Sequence, residues 1–154
     1  MTEATDKARA GTSKVIEGLR EAMDTGNTQA FIDHFAEDGV YESPFALAGQ
    51  PSRWEGFAAI SEHLGGENPT KKLLEFTRVT VDVHLGHDPE EATAQFTIEG
   101  KVRATGEQFT LPSSIGVIRV RDGKIVHYQD YTNMLRGAQI AGVLAQFAAR
   151  LAQA

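Results

Sequence analysis

From Leu73 to Leu135 apolar side chains fall on alternate positions, and this limits the available folds more than any other feature of the chain. Phe76, Val79, Val81, Val83 and Leu85 mark a first strand with an irregularity near Arg78. A turn over Gly86–Pro89 follows, then a strand over Ala92–Ala104 and a second turn at Thr105-Gly106. Gln108–Arg121 forms a third strand, in which Pro112 marks a bulge or an edge because it cannot donate to a ladder. Asp122-Gly123 launches the last strand, Lys124–Leu135. Strands this long, joined by short turns, require an antiparallel sheet.

The residues before Leu73 carry helical periodicity instead. Met1–Thr12 is polar and reads as a frayed lead-in. Thr12 or Ser13 caps a helix to about Asp24, with Val15, Ile16, Leu19 and Met23 on one stripe. Thr28 caps a second helix, Gln29–Glu37, that buries Phe31, Ile32 and Phe35. Asp38-Gly39 turns the chain into a short strand, Val40–Ser43, stopped by Pro44. Trp54-Glu55-Gly56 leads into a third helix, Phe57–Leu64. Gly137–Ala154 reads as a terminal amphipathic helix. Helices first and strands afterwards give an α+β class. The 154 residues fit one domain, with enough chain to bury a core. A strongly curved sheet wrapped around the N-terminal helices can enclose a pocket on its concave face.

Composition excludes several functions. There is no cysteine, so disulfides and thiolate chemistry are ruled out. A net charge of -6 with no Lys/Arg cluster argues against nucleic acid. No apolar run approaches the roughly 20 residues that span a bilayer, and the polar start does not resemble a secretory signal, so a cytoplasmic protein with no membrane partner is expected. His84 and His87 form a pair at a turn, but a catalytic zinc needs three protein ligands. Neither a metal nor a cofactor is expected.

The chemistry points to the last strand. Alternation places Asp130 on one face with Val126, Tyr128, Thr132 and Met134. A carboxylate among such neighbours is costly to bury unless it is solvated, paired or used. Burial would push its pKa toward the range of a general base; the competing reading is an edge-strand acid facing water. His63 shares a helical stripe with Phe57, Ile60 and Leu64 and is expected to point inward, where it could exchange a proton with Asp130. Its competing reading is a helix-end histidine bonded to backbone. Tyr41 and Ser43 share a strand face, so both can reach a pocket. Trp54 and Tyr128 are candidates for the pocket wall. His127 falls on the face opposite Asp130.

Three stretches carry a resemblance: Phe35-Ala36-Glu37-Asp38-Gly39-Val40-Tyr41-Glu42-Ser43-Pro44, then Trp54-Glu55-Gly56-Phe57-Ala58-Ala59-Ile60, then Asp122-Gly123-Lys124-Ile125 running into Tyr128-Gln129-Asp130-Tyr131. In order and spacing they resemble the nuclear transport factor 2-like superfamily. Within it they are most similar to SnoaL-like polyketide cyclases, phenazine-biosynthesis condensing proteins and the limonene-epoxide-hydrolase group. The resemblance implies a cone-shaped α+β domain with a pocket in its mouth, often a homodimer through the outer sheet. It places Asp130 where those epoxide hydrolases activate water and the cyclases hold an acidic base. It also matches Tyr41 to a water-holding tyrosine and His63 to a histidine of the phenazine proteins. Ser43 stands where ketosteroid isomerases have their aspartate. The hydrolases need an Arg and an Asp where this chain has Phe96 and Ile98, which therefore read as substrate-binding wall. Glu99 reads as solvent-facing.

The reading that follows is a general acid–base enzyme acting on a hydrophobic small molecule, by cyclisation, isomerisation, condensation or dehydration, in secondary metabolism. Asp130, His63 and Tyr41 are its catalytic candidates. Ser43, Trp54, Tyr128, Phe96 and Ile98 are its substrate-binding candidates. The alternatives are epoxide opening and a non-catalytic module that holds an apolar ligand.

Overall fold

A computed structural model describes residues 2–153. Six strands form one curved sheet in the order β2-β1-β6-β5-β4-β3. They are β1 Phe35–Glu42, β2 Arg53–Glu55, β3 Leu74–Leu85, β4 Glu91–Val102, β5 Gln108–Arg121 and β6 Lys124–Thr132. All neighbours are antiparallel except β1 and β6, which run parallel. The edge strands β2 and β3 do not meet, so the sheet stays open. Its concave face packs on α1 Glu3–Asp24, α2 Thr28–Ile32 and α3 Phe57–Leu64; α4 is Pro69–Lys72. Ile16, Leu19, Ile60, Phe96, Ile118 and Ile125 are at most 1% exposed and form the centre of the core.

Three bulges aim the sheet. Thr77 is the extra residue between Phe76 and Arg78 on β3, at the irregularity expected there. Ser113 is the extra residue on β5, beside Pro112. Val126 is the extra residue on β6, between the pairs Val120–Ile125 and Arg119–His127. A bulge shifts the alternation by one residue. Ile125, not Val126, therefore shares the inner face with Tyr128 and Asp130, which corrects the strict alternation read from the sequence.

The N-terminal elements also differ from expectation. Residues 3–12 are helical, with Thr2 as the cap. Tertiary contacts hold this segment. Arg9 donates to the carbonyls of Gly86 and His87, and the fully buried Thr12 hydroxyl donates to the Pro89 carbonyl at 2.9 Å. At the far end of α1, Arg20 donates to the Val79 carbonyl and Asp24 accepts from the Val79 amide, which covers the exposed edge of β3. Helix α2 is capped by Asn27 and stops at Ile32. Phe35 belongs to β1, where it pairs with Ile125, and the expected Asp38-Gly39 turn is a kink within that strand. The last strand ends at Thr132, and the tail is two helices, α5 Met134–Ile140 and α6 Leu144–Ala152. Gly142 breaks them at φ 77°, a conformation in which glycine is unstrained.

Candidate active site

The concave face holds a cavity of about 330 Å³, large enough for a small organic molecule. Its apolar wall comes from α1, α2, the sheet and the tail, through Met23, Phe31, Phe76, Ile98, Leu111 and Phe147. Its polar wall comes from β5 and β6, through Ser113, Ser114, Tyr128, Asp130 and Thr132. Strand register explains the grouping: Ser114 lies opposite Thr132, and Gly116 opposite Asp130. Gly116 is required for packing. A Cβ there would come within 2.9–3.0 Å of the Tyr128 ring and hydroxyl, so glycine gives that ring its place.

Asp130 is the one carboxylate in the cavity wall among the described residues. The Tyr41 hydroxyl donates to its Oδ2. Its Oδ1 is buried and has no hydrogen-bond partner among the described residues. Loss of solvation pushes the carboxyl pKa up to about 6 from 3.8, against the opposing pull of the Tyr41 hydrogen bond. Burial, and then the charge of Asp130, push the phenols of Tyr41 and Tyr128 well above their ordinary range, so both stay protonated. Tyr128 is 1% exposed. No hydrogen bond is formed by its hydroxyl among the described residues, and the residue lines the cavity two positions from Asp130. Asp130, with one carboxylate oxygen unpartnered, and Tyr128, with its phenol unpartnered, therefore line the same hollow.

The other sequence candidates divide around this centre. Ile98 lines the cavity, whereas Phe96, 1% exposed, is packed in the core behind it. Tyr41 stands behind Asp130 and does not line the cavity itself. His63 does not face the cavity, contrary to the inward orientation expected from its stripe. Its ring is instead stacked on the Trp54 indole at 3.5 Å between centroids and 10° between planes, with its other aromatic neighbour the buried Tyr41 ring at 5.6 Å. Partial desolvation by that contact lowers its pKa. Trp54 is thereby committed to His63 and to the Tyr41 ring, 5.8 Å away. Ser43 follows β1, bonds through its amide to the Ser52 carbonyl and does not line the cavity. Glu99 is on the outer face, 3.9 Å from Arg78. His127 is also outside, against Glu42.

Sequence reasoning did not identify Phe31, Leu111, Ser113, Ser114 or Phe147 as cavity residues. Pro112 was the available signal for the serines. A bulge beside it turns consecutive residues toward one face, and Ser113 and Ser114 both line the cavity.

The chain matches the SnoaL-like domain over residues 16–128. It is 35% identical over 125 residues to the uncharacterized protein YesE of Bacillus subtilis strain 168, covering 79% of this chain and 83% of that one. It is 30% identical over 128 residues to the uncharacterized PhzA/B-like protein PA3332 of Pseudomonas aeruginosa, covering 83% and 87%. A solved Bacillus subtilis structure, provisionally named an isomerase, superposes with a TM-score of 0.72 at 28% identity, covering 88% and 96%.

Proposed function

The chain belongs to the SnoaL-like family, and from that premise we propose that it is an acid–base enzyme that moves a proton on a hydrophobic carbonyl compound, with Asp130 as the base. The observation that carries this reading is that Asp130, whose buried Oδ1 has no hydrogen-bond partner among the described residues, lines an apolar hollow. Above about pH 6 the carboxylate is free to take a proton from a carbon next to a carbonyl. Tyr41 holds the carboxylate through Oδ2 and leaves Oδ1 for the substrate. Charge then develops on the carbonyl oxygen. The Tyr128 hydroxyl sits on the same strand face and supplies a hydrogen bond to that oxygen without first breaking one of its own. Return of the proton to another atom gives isomerisation; attack of the carbanion on a second carbonyl carbon of the same molecule, whose C=O π bond breaks as its oxygen takes the proton back from Asp130, gives cyclisation. The likeness to a provisionally named isomerase agrees with either outcome.

Epoxide opening is the weaker reading, because β4 contributes Ile98 to the cavity and buries Phe96, with no charged group there to work beside Asp130.

The test needs no knowledge of the natural substrate. Hydrophobic β-diketones in D2O exchange their acidic hydrogens for deuterium, which NMR follows. The protein should accelerate exchange; Asp130→Asn should lose about 10²–10⁴-fold of that acceleration, and Tyr128→Phe a smaller factor. Equal exchange with Asp130→Asn would refute the assignment. The mostly apolar wall keeps one competitor in play: tight binding of the diketones with no acceleration would identify a carrier module.

A further inference from the structure

Two charged side chains line the cavity, Asp130 on β6 and Lys71 on α4. Lys71 is exposed, and its Nζ lies 5.8 Å from the centroid of the Phe76 ring, itself part of the cavity wall. Its neighbour Lys72 is paired with Glu67 at 3.0 Å. Among the described residues Lys71 has no carboxylate partner. It also borders a second, more polar trough of about 770 Å³ that shares Gly26, Thr28, Leu64, Asn68, Leu74 and Phe76 with the first cavity. The ammonium therefore stands where the apolar hollow opens into the polar trough. Arg103 lines the trough as a further cation; of the trough's carboxylates, Asp24 accepts from the Val79 amide, Glu67 pairs with Lys72, and Glu75 has no cation partner among the described residues.

From this arrangement we infer that the substrate is an elongated, amphipathic anion whose negative group rests on Lys71 while its apolar body reaches Asp130. The inference rests on the catalytic reading only in sharing its cavity. Sheet order supports the length. Strand β3, which carries Phe76, is three strand spacings from β6, about 14 Å measured along the sheet and less across its concave face. The separation serves chemistry as well. A negative group placed beside Asp130 would repel the carboxylate and hold it protonated. Kept at the mouth, that group can bind without disabling the base. Contact with an aromatic face and an apolar rim makes the Lys71 ammonium worth more to an anion than an ion fully surrounded by water.

The test uses two fluorescent probes with the same type of aromatic body, anionic anilinonaphthalene sulfonate and neutral N-phenylnaphthylamine. Titration of the full chain should show Lys71→Met weakening the sulfonate about five- to tenfold and leaving the neutral probe within about twofold. Lys71→Arg should restore sulfonate binding, and added salt should erode the difference. Unchanged sulfonate affinity in Lys71→Met, or equal losses for both probes, would overturn the inference. Because the readout is binding, it separates from the proton-transfer proposal. Asp130→Asn that keeps diketone exchange would refute catalysis while leaving the Lys71 result standing.

Discussion

At the scale of single residues, Asp130 carries the account because its environment makes it costly. A carboxyl that titrates at about 6 when folded and 3.8 when exposed binds its proton more tightly in the folded chain. The stabilisation is full below pH 3.8 and is lost as pH rises through about 6, amounting to about 3 kcal/mol. Asp130→Asn removes that cost. Denaturant unfolding at pH 8 should show the variant as stable as the parent or up to about 3 kcal/mol more stable, with the gain shrinking toward pH 4. Tyr41→Phe works in the opposite direction: it deletes the bond that holds Asp130 charged, so the acid limb of the diketone exchange profile should shift upward in pH. That acid was legible in the sequence, since its neighbours on β6 are apolar and aromatic. The placement of His63 was not. Its helical stripe is real, as the burial of Ile60 and the cavity position of Leu64 show. Helical spacing, however, does not reveal that Trp54 lies outside the stripe and takes the imidazole ring by stacking.

At the scale of elements, the long strands were evident because period-two alternation is strong over a dozen residues. The start of α1 was missed for a physical reason. Met1–Thr12 has no apolar stripe, and what fixes its helix is polar: Arg9 and Thr12 satisfy carbonyls in the β3–β4 turn. Thr12→Val keeps the shape but strips the hydroxyl from the Pro89 carbonyl. It should cost about 1–3 kcal/mol in urea unfolding, much more than a substitution in a frayed segment. Pro112 signals the bulge at Ser113, but the one at Val126 carries no such mark. It inserts one residue into β6 and inverts the faces beyond it, so alternation read without that bulge assigns Val126 to the position that Ile125 fills. Downstream of both, Tyr128 and Asp130 still share the inner face.

At the scale of the molecule, an open curved sheet closed off by helices produces one wall that is apolar and one that is polar. The apolar wall excludes water, which raises the affinity of Asp130 for protons. The polar wall offers hydroxyls of Ser113, Ser114 and Thr132 along the edge of a bound molecule. The family of the chain supplies this architecture but not the reaction, because function resides in the side chains set into the fold. Titration of the side-chain carboxyl carbons by NMR tests the central claim most directly. One aspartate resonance, absent from Asp130→Asn, should titrate near pH 6. If every aspartate titrates below about pH 4.5, Asp130 is solvated and the proton-transfer account fails.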